Sequence, residues 1–222
     1  MALTYLQIYN KMTGQAWSMF DSEVQDKEEF ETAVTTSIQK ALSELWLCYD
    51  YPFRYKEVDY VTEVGNNKIN MPNGNITQKI VNSETVYGIR IDKSFLEYDE
   101  NIELRDEKSG KPKYFKVKND KIVLYPTPDN TYTVNVEYLT IALGKDEDEK
   151  EIFKLENEND YIDIPEKYED IFENALITKA MYYAIAEHTD ENSSSYKEQA
   201  DNAYKILVDY TRGIDRDKRI SW

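Results

Sequence analysis

The spacing of hydrophobic residues changes twice along this 222-residue chain, and this change constrains the fold more than any other feature. Apolar residues recur every three or four positions in residues 1–52, alternate with polar residues in 53–143, and return to the first spacing in 144–213. Spacing near 3.6 is typical of amphipathic helices, and alternation is typical of strands. The pattern predicts an α+β fold: a helical bundle built from N- and C-terminal helices with an inserted antiparallel β-sheet domain.

Local signals mark where the N-terminal helices begin and end. The first helix is predicted to run from Leu3 to a stop at Gly14. The second is predicted to begin at the capping pair Asp26 and Glu29, and to end before Pro52, which disfavours helix at the preceding residue. The apolar positions of this second helix are Phe30, Val34, Ile38, Ala41, Leu42 and Leu45.

The C-terminal region predicts a helical hairpin. Its first helix is expected to begin at Pro165, and its second is expected to end near Gly213. Neither terminal pair of helices alone buries enough apolar surface to be stable, so the two ends are predicted to share one core. The sequence thus predicts a helical domain of residues 1–52 and 144–213, a β domain of 53–143, and a C-terminal tail of 214–222.

The stretch KIVLYPTPDNTYTVNVEYL, residues 121–139, gives the clearest strand signal. Two alternating runs flank a Pro-x-Pro-Asp-Asn turn, which predicts a hairpin. In the second run Val134 and Val136 fall on one face, while Asn135 and Glu137 fall on the other. This alternation predicts an antiparallel sheet that covers a core on one side and meets solvent on the other.

The chain is strongly acidic, with 43 Asp and Glu against 27 Lys and Arg and a net charge of −16. Residues 145–170 carry 12 acids and four Lys, so half of the net charge lies in this segment, which is predicted to be a solvated loop followed by the acidic first turn of a helix. Binding to duplex DNA is driven largely by Lys and Arg. The net negative charge therefore excludes a protein that binds tightly to duplex DNA.

Rare residue types exclude several kinds of chemistry. Cys48 is the only cysteine and His188 the only histidine, so an internal disulfide and a His/Cys metal cage are both excluded. His188 lies where a helix is predicted to end, and its interpretation is a solvated side chain near the negative end of the helix dipole. No Gly-rich phosphate loop is present, so no cofactor is expected.

The sequence predicts a protein kept in a cytosol-like compartment without a membrane anchor. No apolar run reaches the roughly 18 residues of a membrane-spanning helix, and the N-terminus lacks the pattern of a signal peptide.

Two segments of the chain resemble a known family. The run KPKYFKVKNDKIVLYPTPDNTYTVNVEYL, an acidic spacer, and then YIDIPEKYEDIFENALITKAMYYA resemble head-to-tail adaptors of short-tailed bacteriophages, the tail tubular protein A and tail accessory factor group. The matching positions are Tyr114, Ile122, Leu124, Pro126, Pro128, Asp129, Pro165, Tyr168 and Asp170. The resemblance covers roughly residues 26–210. Richness in Asn, Lys, Ile and Tyr suggests an AT-rich genome such as those of crAss-like phages.

The resemblance implies a structural, non-enzymatic role in the virion tail or neck, after assembly in the host cytoplasm. Such adaptors form a homo-oligomeric ring, usually of twelve copies, below the portal protein. The ring extends the DNA channel and presents a surface to tail and nozzle proteins. DNA passes through without specific binding, and an acidic chain predicts a negatively charged channel.

Two groups of residues are predicted to contact partners. The turn residues Pro126, Pro128, Asp129 and Asn130 would hold a projecting sheet against the next component of the tail. The tail residues Arg216, Lys218, Arg219, Ile220 and Trp222 would anchor in a pocket on a partner. The abundant Tyr residues suit either interface cores or half-buried strands.

Two other functions remain open at this point. One is a soluble non-viral protein-binding module. The other is a carboxylate-based glycan hydrolase, which needs only two acids at suitable separation.

Overall fold

The computed structural model describes residues 2–20, 27–81, 84–102, 108–188 and 193–219. The helices in these ranges are α1 (Tyr5–Phe20), α2 (Lys27–Leu47), α3 (Glu166–His188) and α4 (Ser194–Arg219). The strands are β1 (Leu3–Thr4), β2 (Tyr55–Val61), β3 (Lys68–Asn70), β4 (Gly74–Ile76), β5 (Gln78–Val81), β6 (Glu84–Tyr87), β7 (Ile89–Ile91), β8 (Ser94–Phe95), β9 (Glu97–Tyr98), β10 (Tyr114–Lys118), β11 (Lys121–Tyr125), β12 (Thr133–Thr140), β13 (Gly144–Lys145), β14 (Glu151–Ile152) and β15 (Tyr161–Ile162).

The chain divides into two compact units. One, here called the helical unit, combines residues 1–53 with 142–222. The other, here called the β unit, is the continuous segment 54–141. The predicted α+β class, with helices at both ends and a β region between them, is confirmed.

One hydrophobic core joins the two ends of the chain in the helical unit. The predicted apolar face of α2 is buried. It shares a single cluster with Ile8 of α1, Leu176 of α3 and Leu207 of α4. Because all four helices contribute to this cluster, the predicted pairing of the two ends in one helical core is confirmed.

Aromatic rings fill the part of this core between the end of α2 and the start of α3. Tyr51 stacks on Phe53 with centroids 4.9 Å apart. Trp46 meets Phe172 edge to face at 6.1 Å, and Phe53 lies 5.3 Å from the ring of Tyr168. These arrangements are the ones that aromatic quadrupoles favour. The cluster therefore joins residues more than a hundred positions apart.

Two predicted helix ends are wrong. Gly14 lies within α1, which continues to Phe20, and Gly213 lies within α4, which continues to Arg219. Glycine permits the left-handed conformation that ends many helices but does not require it. A helical glycine costs only about 1 kcal/mol relative to alanine, so neighbouring residues carry the helix through both positions.

The acidic segment that follows the β unit is also more ordered than predicted. Its strands form a small sheet with the first residues of the chain, in the order β1-β15-β13-β14. Leu155 and Ile162 join the helical core. The buried Asp160 carboxylate accepts hydrogen bonds from the backbone N–H groups of Glu156 (2.7 Å) and Asn157 (2.8 Å). This segment therefore forms a folded edge of the helical unit and is not a plain loop. Its predicted exposure to solvent holds for Glu147, Asp148, Glu149, Glu156 and Glu158.

The predicted start of α3 is close to the observed one. The helix begins at Glu166, immediately after Pro165, with Glu166 and Glu169 in its first turn. Acidic side chains at this position interact favourably with the positive end of the helix dipole.

The β unit contains two sheets that share one core. One sheet has the strand order β3-β11-β10-β9; the other has the order β2-β12-β7-β8, with β4 also paired to β12. Most pairs are antiparallel, and β9 runs parallel to β10. The shared core consists of Ile89, Ile91, Leu96, Phe115, Ile122, Leu124, Val134 and Val136. Since both sheets supply side chains to it, the unit is a small β-sandwich.

The hairpin predicted for residues 121–139 is wrong. Both runs are strands, but β11 pairs with β10 and β3, whereas β12 pairs with β2, β4 and β7. The segment 126–132 therefore connects one sheet to the other. A tight hairpin occurs instead between β10 and β11, where Asn119 and Asp120 both adopt positive φ angles (52° and 54°), as a type I′ turn requires. Alternation identifies a strand without identifying its partner.

The two faces of β12 follow the predicted alternation with one exception. Val134, Val136 and Tyr138 are buried, and Asn135 is half-buried. Glu137, predicted to face solvent, is buried as well. On this face of the sheet the Glu137 carboxylate pairs with Lys79 and Arg90.

Candidate functional site

The predicted turn residues lie on the connector between the two sheets. Pro126 and Pro128 are buried, and Asp129 and Asn130 are exposed. The two prolines thus belong to the interior of the β unit, while the two polar residues are the members of this group that a partner can reach. Their role in an interface remains a prediction.

Backbone hydrogen bonds tie this connector to the loop that follows β2. Gly65 N–H donates to the carbonyl of Pro128 (2.9 Å), and Thr62 N–H donates to the carbonyl of Tyr132 (2.9 Å). The buried Thr62 hydroxyl donates to the carbonyl of Asn130 (3.3 Å) and accepts from Tyr132 N–H (2.8 Å). Two loops distant in sequence are therefore held as one surface at an end of the sandwich.

The connector also carries a charged hydrogen bond of its own. The Tyr132 hydroxyl donates to the Asp129 carboxylate at 2.7 Å. This hydrogen bond, with burial and the nearby charges of Asp129 and Asp92, raises the pKa of Tyr132 above its ordinary value. The Tyr132 hydroxyl therefore remains protonated and donates its hydrogen bond. This bond holds the exposed Asp129 carboxylate next to the two hydrogen-bonded loops.

Two exposed valines lie where β2 ends and its following loop begins. Val61 is 66% exposed and Val64 is 65% exposed. Val61 stands directly opposite Thr133 in the β2–β12 register. We call these two residues the valine patch. Neither residue was among the predicted contact residues; Val61 falls on the same exposed face of β2 as Glu57 and Asp59.

A second exposed apolar feature is the ribbon formed by β5 and β6, here called the β5–β6 arm. These two strands form a sheet of their own. Ile80 on the arm is 81% exposed, more than any other large apolar residue in the described ranges. The arm is hard to recognise in the sequence, because residues 85–92 form one alternating run that Gly88 divides into β6 and β7.

The base of the arm is bonded to β12 at Glu137. Thr77 N–H donates to the carbonyl of Glu137 (3.0 Å), and Glu137 N–H donates to the carbonyl of Gly88 (2.6 Å). A Cβ atom on Gly88 would lie 2.8 Å from the carbonyl oxygen of Glu137 and 2.3 Å from the hydroxyl oxygen of Thr77. Only glycine allows the backbones to approach this closely.

The Glu137 side chain joins the arm to the face of the sheet. Lys79 of β5 lies 2.6 Å from one Glu137 carboxylate oxygen, and Arg90 of β7 lies 3.8 Å from the other. Arg90 also donates to the side-chain oxygen of Asn135 at 2.8 Å. Because a buried carboxylate is costly unless it is paired, these cations explain how Glu137 is accommodated. The arm is thus fixed at its base by both backbone and ionic contacts.

The predicted tail residues belong to a different part of the chain. Arg216, Lys218 and Arg219 lie in the last turns of α4. Ile220 and Trp222 lie outside the described residues. Their predicted anchoring in a partner stays a prediction. His188 is the last residue of α3, where the helix was predicted to end.

The described residues offer no arrangement typical of metal chemistry. Within these ranges, no group of three or more His, Cys, Asp or Glu side chains could hold a metal ion. No helix in the described part of the chain is both long enough and apolar enough to cross a bilayer. The prominent features of the described surface are anchored loops and exposed apolar side chains.

A β-sandwich with exposed apolar side chains and a separate four-helix core, without a metal-binding cluster in the described residues, is the architecture of a structural or binding protein. Comparison with protein families makes this class specific: residues 15–219 match the family model of the SU10 adaptor protein. The chain belongs to this family of phage head–tail adaptors. No curated protein matches the chain.

Family membership places the chain among the structural proteins of the bacteriophage virion, at the neck. An adaptor at that position contacts portal and tail proteins. The prediction of a phage adaptor is therefore confirmed, whereas the ring and its copy number stay predictions.

Proposed function

We propose that this protein is the subunit of a connector ring, usually of twelve copies, that extends the DNA channel of the portal and attaches tail components. The observation that carries the proposal is the family match across residues 15–219, which spans both the helical unit and the β unit. The anchored loops and arm of the β unit supply surfaces for subunit and tail contacts.

The charge of the chain supports the proposed passage of DNA. At −16 per copy, a ring concentrates negative charge around its channel. Charges within a Debye length of about 8–10 Å repel the phosphates of passing DNA. The proposed channel therefore conducts DNA without binding it specifically.

Electron microscopy of purified particles tests the proposal directly. A ring of this chain between portal and tail, with a predominantly acidic lumen, is the expected result. A lumen lined mainly by Lys and Arg, or particles that lack the chain, would overturn it.

The connector between the sheets provides a genetic test. Pro128→Gly combined with Asp129→Gly removes a fixed φ angle and the partner of Tyr132. Tail completion is expected to fall, while the helical content measured by circular dichroism stays unchanged. The matched control is Asp120→Gly, a glycine substitution in the same unit at a position with positive φ, where glycine is tolerated. Full infectivity of the double variant would count against the proposal.

A further inference from the structure

We propose that the outer edge of strand β2 binds an extended, basic segment of a partner protein, which adds to the sheet as a further strand next to β2. The residues that carry this proposal are Glu57, Asp59 and Val61. The inference goes beyond the proposed ring, because it names a binding surface and the chemistry of its partner, neither of which a ring of this chain requires.

The first observation is the position of β2 in its sheet. It is the first strand in the order β2-β12-β7-β8, so within the described residues it has one neighbouring strand. It pairs with β12 in unbroken register from Tyr55 to Val61, without a bulge. With seven residues, it is the longest edge strand in the described part of the chain. Natural proteins commonly shorten, bulge or interrupt their exposed edge strands, so a regular edge of this length is suited to binding another strand.

The hydrogen bonds of β12 show which backbone groups of β2 point outward. The N–H and the carbonyl of Glu137 both bond to residues next to β7 and β4, on the side of β12 opposite β2. Glu137 therefore forms a non-hydrogen-bonded pair with Glu57, its register partner, and bonded and non-bonded pairs alternate along antiparallel strands. The N–H and carbonyl groups of Glu57, Asp59 and Val61 consequently face away from β12, along the outer edge.

These outward groups fit the backbone of an extended peptide. Alternate residues of a strand repeat about every 7 Å, and an added strand presents its own N–H and carbonyl groups at the same interval. Strand addition to a sheet edge is a recurring mode of peptide recognition. The side chains of Glu57, Asp59 and Val61 are exposed, so a partner can reach this edge.

Charge selects a basic segment as the occupant. Residues 57–63 contain three acids, Glu57, Asp59 and Glu63, and no Lys or Arg. Opposite charges on neighbouring strands stabilise their pairing, whereas like charges that face each other destabilise it. A strand with Lys or Arg opposite Glu57 or Asp59 is therefore favoured. The β2 edge of a second copy carries the same acids and is disfavoured.

The two carboxylates on the edge are already held in position. The Asn135 amide donates to Glu57 at 3.3 Å and to Asp59 at 3.0 Å, and Arg90 donates to Glu57 at 3.3 Å. Arg90 also lies 3.8 Å from Glu137, so this cation is shared between carboxylates. Both Glu57 and Asp59 remain exposed. Because their positions are fixed before binding, pairing with a cation on an added strand costs little conformational entropy.

Peptide binding to the full-length chain tests the proposal. The probe is a short, fluorescently labelled peptide of alternating Lys and Val, and binding is measured by fluorescence anisotropy. One control peptide replaces Lys with Glu. The other is N-methylated at its amides, which keeps the charge and removes the backbone donors. The unmethylated Lys peptide is expected to bind about tenfold more tightly than either control.

Each control peptide has an outcome that would overturn the proposal. Equal binding of the N-methylated peptide would show attraction between charges without strand addition. Equal binding of the Glu peptide would show that the edge does not select a basic segment.

A charge reversal on the edge gives a second measurement. Asp59→Lys is expected to weaken binding of the Lys peptide and to strengthen binding of the Glu peptide, each by about tenfold. A misfolded variant would lose both, so the reciprocal change reports on the edge itself. The matched control is Asp201→Lys, at an exposed acid of α4, which is expected to leave both affinities unchanged. Equal effects of the two substitutions would contradict binding at β2.

Amide hydrogen exchange measured by NMR locates the contact. With the Lys peptide at about ten times its Kd, exchange is expected to slow about tenfold at the outward amides of Glu57, Asp59 and Val61. The amides of Val58 and Tyr60 already face β12 and are expected to change little. No binding of the Lys peptide at millimolar concentration, or slowing confined to other residues, would overturn the proposal. The proposed ring is tested separately, because microscopy of particles locates the chain whether or not β2 binds a peptide.

Discussion

The two units of this protein differ in where they place their large apolar side chains. The helical unit buries large rings, including Trp46 and Phe172, in a core drawn from both ends of the chain. The β unit is shorter and continuous in sequence, yet exposes more large apolar residues in the described ranges. In the β unit these are Tyr55, Val61, Val64, Ile80, Phe95, Tyr98, Val117 and Ile141, against Leu6, Leu47, Phe153, Ile206 and Tyr210 in the helical unit.

This difference predicts that the two units contribute differently to stability and to association. Burial of large rings stabilises a fold, whereas exposed apolar side chains on an anchored scaffold favour association. We therefore expect the helical unit to supply much of the stability and the β unit to supply surfaces for contact. Each of the following predictions tests one side of that difference.

The largest expected effect comes from dividing the chain. A fragment of residues 54–141 is expected to fold alone, because its core draws on that segment only. A fragment of residues 1–53 is expected to remain unfolded, because α3 and α4, which complete the core around α1 and α2, lie after residue 142. Circular dichroism and urea titration of both fragments measure this. Cooperative unfolding of fragment 1–53, or a disordered fragment 54–141, would contradict the division.

A smaller effect is expected from one ring in the helical core. Phe172→Ala is expected to lower the free energy of unfolding of the helical unit by about 3–5 kcal/mol, because it removes a fully buried ring that meets Trp46, Tyr51 and Phe53. The matched control, Phe153→Ala, removes a 53% exposed ring and is expected to change it by about 0.5 kcal/mol or less. Similar losses in both variants would show that the aromatic cluster does not dominate this core.

The smallest effect is expected at alkaline pH in the sheet of the helical unit. Burial, together with the hydrogen bond that Tyr161 donates to Glu149 at 2.7 Å, raises the pKa of Tyr161 to about 12. Because an unfolded tyrosine ionises near pH 10, the stability that this group contributes is present below pH 10 and is lost as pH rises to about 12.

Tyr161→Phe should therefore flatten the fall of the melting temperature between about pH 10 and 12. Tyr182→Phe, at a half-buried tyrosine of α3, is the matched control. The change is expected to be small because the Tyr161 ring is only partly buried. An unchanged alkaline profile for Tyr161→Phe would contradict this role.

Residues with a strong local signal were predicted correctly. The spacing from Phe30 to Leu45 gave the buried face of α2, because helical periodicity follows from backbone geometry alone. Alternation along β12 gave the burial of Val134 and Val136 for the same reason.

Features that depend on distant partners were not predicted. The segment 126–132 resembles a hairpin turn, but the partners of β11 and β12 are set by the packing of two sheets. The small acidic sheet needs Leu3 and Thr4, which pair with Ile162 and Tyr161. Glu137 is buried because Lys79 and Arg90 approach it from other strands. None of these contacts leaves a local pattern in the sequence.

For the candidate site, the connector was identified from its prolines and acid, whereas the valine patch and the arm were not. Single exposed apolar residues such as Ile80 look like ordinary strand residues until the fold shows that no neighbouring strand covers them. The exposure of a side chain depends on which strands pair in the folded protein, and the sequence of one strand does not determine it.

The way the arm is rooted has a consequence for how such a protein can evolve. The contacts that hold it to the sandwich are backbone hydrogen bonds among Thr77, Gly88 and Glu137, the Lys79–Glu137 ion pair and the packing of Tyr87 on Phe115, and none of them involves the Ile80 side chain. Substitutions at Ile80 therefore change the exposed surface of the arm without removing the contacts that hold it to the sandwich. A lineage could in this way acquire a new neighbour by altering a few side chains while inheriting the scaffold unchanged.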